Sequence, residues 1–410
     1  MNLYLFDDSD SAATYGIGSY IRELTSALKD TEISIYVVHI NKVCQKFEIV
    51  KTEQVENWYI PEAHQNNHSY DVIQNMENYY LNLVYLLRIH IKDTHDLVFH
   101  FNHSLCQLLV RKLKTTFHCQ IVTTVHYTKW ALELYGNLFR FRELITKSEK
   151  QMDSCEQMLF KTYEYERSLF NDVDRVIVLT QNICDILISE YHIERDKLFV
   201  IPNGLEDKLP FVVDKEDLRK KWRISEKELI ILFAGRFHPV KGLIFLIAAF
   251  RQLLEKFPYC RLMIAGNGYY DIYMQSAKDI CSKITFTGLL EKKELSELYQ
   301  IADVGVVPSL FETFGYVAAE MMMYGLPVVV TATSGLDELV NESCGLKVPV
   351  TEFHDRVEID PNILSQRISY LLQCPDEAKR LGKNARQRYL EKYSSSVFQS
   401  NMLDFYKTLY

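Results

Sequence analysis

Two carboxylates stand eight residues apart, Glu312 and Glu320, in the stretch Pro308-Ser-Leu-Phe-Glu-Thr-Phe-Gly-Tyr-Val-Ala-Ala-Glu-Met-Met-Met-Tyr-Gly-Leu-Pro-Val-Val-Val330. The run reads as a strand end, a loop, a helix, a stop at Gly325 and the next strand. A helix starting near Phe314 or Gly315 leaves Glu312 in the loop and carries Glu320 about a turn and a half inside, so the two acids can address different parts of one ligand. The N–H groups of Phe314, Gly315 and Tyr316 then lie at the helix N-terminus, where unpaired donors and the macrodipole favour an anion such as a diphosphate. Two cations, Arg236 beside Gly235 and Lys241 beside Gly242, follow another apolar run. Singly they are ordinary surface charges; after a buried strand and next to glycines they suit a phosphate, Arg236 through paired bonds and Lys241 as a point charge.

Weaker signals surround these. Gly16, in Tyr15-Gly-Ile-Gly-Ser-Tyr20, opens a helical run and can approach a phosphate, although ordinary turns have the same composition. His126 closes the apolar run Ile121 to Val125, and His100 and His103 lie near the end of the preceding one. Asp8-Ser-Asp10 has the spacing of a metal-binding pair, but a polar loop or helix cap explains it better at that position, and no metal is expected. Arg219-Lys-Lys-Trp-Arg223 and Arg111-Lys-Leu-Lys114 read as solvated helix faces.

The elements that must position these residues are legible as short apolar runs alternating with longer helical patterns. Leu3–Phe6, Ile33–Ile40, Leu97–Phe101, Ile121–Val125 and Val176–Leu179 form one series. Leu229–Ala234, Leu262–Ala265, Ile284–Phe286, Val304–Val307 and Val328–Val330 form another. Such alternation predicts an α/β fold, two doubly wound parallel-sheet domains with ligands at the carboxyl ends of the strands. The boundary is expected near Pro202 to Pro210, giving domains 1–204 and 205–390. Residues 129–172 form a helical, aromatic-rich segment whose rings, among them Trp130, Tyr135, Phe139 and Phe141, read mainly as packing residues.

The chain has 410 residues, 48% of them hydrophobic and 24% charged, which fits two globular cores. A formal net charge of -8 argues against a nucleic-acid partner, since such binding needs Lys and Arg against phosphates. The nine cysteines have no metal-binding spacing and read as free thiols of a reducing cytoplasm. The start at Met1 lacks the basic, long apolar pattern of a signal peptide, and no run approaches the roughly 20 apolar residues of a membrane span.

The Phe-Glu-x-Phe-Gly block with Glu320 resembles the Glu-x7-Glu signature of glycosyltransferase family 4, a retaining group of GT-B architecture with two facing Rossmann-like domains. Gly235-Arg236, Lys241-Gly242, Gly266-Asn-Gly268, Phe286-Thr-Gly-Leu289 and Gly335-Leu-Asp-Glu338 fall in the family's order. The likeness is dense over residues 201 to 345 and sparse before. It implies that Arg236 and Lys241 bind a donor diphosphate, Glu320 the ribose hydroxyls and Glu312 the donor sugar, while Gly266, Asn267 and Leu289 line the base pocket. His126 resembles the histidine bordering the donor-sugar and acceptor site. The implied activity is a metal-independent, cofactor-free hexosyltransferase moving a sugar from a nucleoside diphosphate sugar, a UDP-sugar first and a GDP-sugar second, onto an acceptor hydroxyl. The acceptor is a glycan, lipid-linked molecule, peptide or small molecule, and the place of work the cytoplasm or the inner face of the membrane. The same resemblance sends residues 391–410 back to the first domain as a helix. Tyr15, Glu206 and Ser334 depart from the family pattern, which usually has glycine, aspartate and glycine there. An epimerase or phosphorylase of the same fold, or a non-catalytic sugar-nucleotide-binding subunit, are the alternatives.

Overall fold

The computed structural model describes residues 1–7, 16–52, 55–62, 72–102, 106–209 and 214–410. Asp8-Ser-Asp10, Tyr15, His103 and Pro210 lie outside them. The chain forms two units: residues 1–128, 157–204 and 395–410 make the first, residues 129–156 and 205–394 the second. Each is a Rossmann-like unit with helices between parallel strands.

The first unit has β1 (Asn2–Asp7), β2 (Ser34–Lys42), β3 (Glu48–Lys51), β4 (Val55–Pro61), β5 (Leu97–Phe101), β6 (Cys119–Val125), β7 (Arg175–Val178) and β8 (Leu198–Val200), in the order β3-β4-β2-β1-β5-β6-β7-β8. Only β3 runs antiparallel, on β4. The central β1 and β5 are buried almost throughout, with Phe6 stacked on Phe101 at 4.3 Å. That is why they read as continuous apolar runs rather than alternating ones. The helix Ser395–Lys407 packs against the helix Gly16–Leu28, and Gln399 donates to the Ala27 carbonyl.

His100 on β5 lies wholly inside this unit. Its Nδ1 is hydrogen-bonded to the Tyr406 hydroxyl and its Nε2 to Thr124 Oγ1, both at 2.7 Å, and Tyr20 Oη reaches the same Thr124 atom at 3.1 Å. Burial pushes the imidazole pKa down to about 3, with a smaller contribution from His126. The folded state therefore refuses a proton that the unfolded chain accepts near pH 6.5, so stability is lost as pH falls below that value. Between pH 8 and pH 5 this one group is expected to cost about 2 kcal/mol. Calorimetric melting of the parent and of His100→Gln at both pH values tests it; equal pH slopes in the two chains would assign the acid sensitivity elsewhere.

The second unit carries β9 (Leu229–Ala234), β10 (Cys260–Ala265), β11 (Ile284–Gly288), β12 (Val304–Val307), β13 (Val328–Thr331) and β14 (Leu346–Val348), all parallel, in the order β11-β10-β9-β12-β13-β14. A hairpin, β15 (Val350–Glu352) and β16 (Val357–Ile359), follows. The chain builds outward from β9 through β10 to β11, then returns to β12 on the other side of β9. The β9–β12 junction is thus the point at which strand order reverses, where open α/β sheets bind ligands.

Residues 129–156 pack with this second unit although they precede residue 204. Trp130 stacks on Phe141 at 4.4 Å and meets Phe311 edge-on at 5.8 Å. Asn137 accepts from the Arg140 N–H to cap the helix Leu138–Thr146, and its amide donates to the Phe353 carbonyl at 2.6 Å. Trp130 and Phe141 are core, whereas Phe139 is exposed. The basic helix Lys215–Lys221 turns its charge onto its own unit: Lys221 and the Trp222 indole both reach Glu297, and Arg219 donates to the carbonyls of Ile301 and Ser225. Arg111 and Lys114 are likewise paired, with Asp172 and Asp174. Among the described residues no helix is long and apolar enough to cross a membrane.

Candidate functional site

The loops leaving β9 and β12 meet at the switch point. After β9 the chain passes Gly235 and Arg236 into a single turn, Pro239–Lys241, capped at its start by His238, whose Nδ1 accepts from the Val240 N–H at 3.2 Å. After β12 it passes Pro308 and Ser309 to Glu312. The Leu310 N–H donates to the Val240 carbonyl at 2.7 Å, tying the two loops together. Across this join Lys241 Nζ and Glu312 Oε1 form an ion pair at 2.5 Å, with side chains 21% and 16% exposed. Ser309 Oγ donates to the same Glu312 oxygen at 3.0 Å.

Glu312 is held from behind as well. The loop after β13 brings Ser334, whose hydroxyl accepts from the Glu312 N–H at 3.2 Å and donates to the Glu312 carbonyl. The Gly335 N–H donates to that carbonyl at 2.8 Å. Ser334 departs from the family pattern, and its side chain supplies bonds that a glycine cannot.

The helix following this loop is Tyr316–Met323, with Gly315 as its N-cap and no side-chain cap. Phe314 is buried, Gly315 and Tyr316 open the helix, and Glu320 lies in its second turn. Tyr299 donates its hydroxyl to Glu320 Oε2 at 2.7 Å.

Further along the sheet edge, the ends of β9, β10 and β11 lie side by side. Gly235 N donates to the Ala265 carbonyl and Gly266 N to the Gly288 carbonyl, each at 2.9 Å, and Phe237 N to the Asn267 carbonyl at 2.7 Å. Gly266 has φ +146°, and a Cβ there would sit 1.9 Å from the Gly235 carbonyl oxygen, so only glycine lets these turns approach. Asn267 is half-buried, while Leu289, just past β11, is exposed.

Arg236 is exposed, and its charge and that of Lys241 both depress the pKa of His238. Burial is the largest cause of that shift, and Glu133 opposes it. A neutral His238 flanked by two cations marks this turn as a positive site, suited to an anion.

The second unit thus gathers Arg236, Lys241, Gly266, Asn267, Leu289, Glu312, Phe314, Gly315, Tyr316 and Glu320 on the carboxyl-edge loops of one sheet and on the helix that follows them. Gly16 and His126 belong to the first unit. Gly16 is exposed at the start of its helix; His126 follows β6, with the Tyr20 ring edge-on at 4.7 Å and Asn102 Oδ1 at 3.5 Å from its Nε2. His238, Ser309 and Tyr299 are the contacts missing from the sequence reading. His238-Pro239 between two singled-out cations was the available signal for the first; Tyr299 carries none, because a tyrosine on an amphipathic helix has the pattern of core.

Comparison with known proteins bears on the family and the fold. Residues 14–209 match the model described as Glycosyltransferase Family 4, and residues 214–388 that of Glycosyl transferases group 1. An uncharacterized glycosyltransferase of Methanocaldococcus jannaschii is 30% identical over 247 residues, 57% of this chain and 60% of that one. Mannosylfructose-phosphate synthase of Agrobacterium fabrum is 30% identical over 215 residues, 48% and 47% of the two chains. The chain therefore spans about half to three-fifths of the length of these relatives. Among solved structures, sucrose-phosphate synthase from Thermosynechococcus elongatus superposes with a TM-score of 0.75 at 23% identity, covering 100% of this chain and 99% of that one. HepE of Anabaena in complex with UDP-glucose gives 0.72 at 14% identity with full coverage of both, a likeness of fold. On its own motifs, its two parallel-sheet units and these family matches, the chain belongs to glycosyltransferase family 4, with the GT-B type of fold.

Proposed function

We propose that the second unit binds a nucleoside diphosphate sugar, UDP-linked by preference and GDP-linked as second choice, and that the chain transfers the sugar to an acceptor hydroxyl with retention and without a metal. The observation that carries this reading is the Lys241–Glu312 pair across the strand-order switch, beside Arg236. A fixed ammonium suits the charge that a diphosphate leaving group would gather, and the carboxylate beside it is able to accept from sugar hydroxyls. Glu320, one helix further on, takes the ribose hydroxyls, and the loops of Gly266, Asn267 and Leu289 the base. His126 is assigned a hydrogen bond to a sugar hydroxyl. With two cations stabilising the departing diphosphate, a front-side displacement needs no carboxylate nucleophile: the leaving phosphate takes the acceptor proton as the new bond forms.

Calorimetric titration with UDP, GDP and ADP and their glucose and mannose conjugates, with and without chelator, tests the donor site. One nucleotide is expected to bind tightly and independently of chelator, and Glu320→Ala to weaken it by about tenfold through loss of the ribose bonds. Absence of binding to all of them overturns the reading. Chelator-sensitive binding would overturn its metal independence. Proton NMR of the transferred sugar then reads the anomeric configuration directly, and an inverted product would remove the front-side step.

A further inference from the structure

Beside the helix that carries Glu320 lies another, Lys292–Ile301, which starts three residues after Leu289. Its start is fixed by a reciprocal capping box between Glu291 and Glu294, with the Glu291 N–H donating to Glu294 Oε2 at 3.0 Å. Ser296 and Tyr299, three residues apart, share a face of this helix. The Tyr299 ring is 3% exposed and stacks on Tyr324, the residue that ends the Glu320 helix, at 5.5 Å between centroids. Tyr324 is itself pinned: its hydroxyl is hydrogen-bonded to Ser296 Oγ at 2.6 Å and donates to the Lys208 carbonyl at 3.1 Å. Held by that stack, Tyr299 turns its hydroxyl to Glu320 Oε2 at 2.7 Å. An ionised carboxylate only accepts, so Tyr299 donates.

We infer that Tyr299 is a positioning residue for ribose recognition: by holding one oxygen of Glu320 it fixes the rotamer in which that carboxylate meets the nucleotide. This rests on the ribose role proposed above for Glu320. The physical reason is preorganisation. A glutamate on a helix has three side-chain torsions to order, and ordering them at the moment of binding subtracts from affinity. A donor from a rigid, stacked ring removes most of that cost beforehand. Burial also holds the Tyr299 phenol protonated, its pKa raised well above the usual value by desolvation first and by the Glu320 charge second, so the donor persists over the working pH range. The same helix begins beside the Leu289 loop, which makes it the element common to the base side and the ribose side of the proposed nucleotide site.

The test compares affinities of the full chain for UDP, GDP and ADP with those for their 2′,3′-dideoxy counterparts, in the parent, Tyr299→Phe and Tyr324→Phe. The parent is expected to prefer the tightest ribose nucleotide over its dideoxy form by about tenfold, the worth of the lost hydroxyl bonds. Tyr299→Phe should abolish most of that preference by weakening only the ribose form, while Tyr324→Phe, which breaks the Ser296 bond and not the Glu320 one, should keep it. A parent with no preference for ribose overturns the Glu320 assignment and this inference with it, as does binding of no nucleotide. A Tyr299→Phe chain that keeps the preference overturns the inference alone. Should that single variant melt too early to titrate, thermal shift by the same nucleotides in Glu320→Ala and Glu320→Ala/Tyr299→Phe decides: the second substitution should cost no further nucleotide stabilisation, and any additional loss would show Tyr299 acting without Glu320 and overturn the inference.

Discussion

A Lys241→Ala chain is expected to transfer sugar about 30- to 1,000-fold more slowly than the parent, the equivalent of ~2–4 kcal/mol of transition-state stabilisation. The ammonium sits between a half-buried carboxylate and the Arg236 turn, and the negative charge it is proposed to meet grows only as the glycosidic bond breaks. Its loss should therefore fall more on kcat than on affinity for the bound donor. The fold should tolerate the change, because Glu312 keeps the Ser309 hydroxyl and its backbone keeps the Ser334 and Gly335 bonds. Steady-state kinetics with the donor found by titration, run beside melting curves, separate the two effects. A rate loss below twofold would take Lys241 out of the site. A large loss accompanied by an equally large drop in melting temperature would make it a structural cation instead.

Much of this arrangement was legible in the sequence because its parts obey separate local rules. Buried parallel strands are written as continuous apolar runs, and the turns after them as glycines with charges, so Arg236, Lys241, Gly266 and Glu312 could be placed at strand ends from their neighbours alone. Partnership was not legible. Nothing in the spacing of Lys241 and Glu312, 71 residues apart, states that they pair; that follows from the strand order, which puts β12 beside β9 rather than beyond β11. The helical pattern of residues 129–156 gives no sign of which sheet it covers, because an amphipathic face specifies burial and not the neighbour. What decides it is one contact set, Trp130 and Gly136 against Phe311 and Asn137 against Phe353, all distant in sequence. His100 and His126 are equally plain as histidines near strand ends, yet the first is sealed in the core between Tyr406 and Thr124 and the second is half-buried past β6. Ser334 reads in the sequence only as a departure from the family's usual glycine, and its two hydrogen bonds to the Glu312 backbone appear only in the fold.

Replacing Gly242 by alanine is expected to destabilise the second unit by about 3 kcal/mol, the sum of a left-handed backbone cost and an overpacking cost. Gly242 has φ +64°, and a Cβ built on it falls 1.8 Å from the Pro308 carbonyl oxygen, with Ile359 Cδ1 at 3.2 Å on another side. The obstacle is backbone, so no side-chain rotation relieves it. Either the Pro239–Lys241 turn or the Pro308 loop must move, and those are the two segments joined by the Leu310–Val240 bond and the Lys241–Glu312 pair. Activity should therefore fall at least as far as in Lys241→Ala, while melting temperature drops by about 5–10 °C, which Lys241→Ala should not cause. Gly242→Asn separates the contributions. Asparagine tolerates the left-handed region but brings the same Cβ, so it should recover less than half of the lost stability and little of the activity. A Gly242→Asn chain restored to parental stability and rate would mean that the backbone angle alone made glycine necessary, and that the close approach of Pro308 does not hold Lys241 against Glu312.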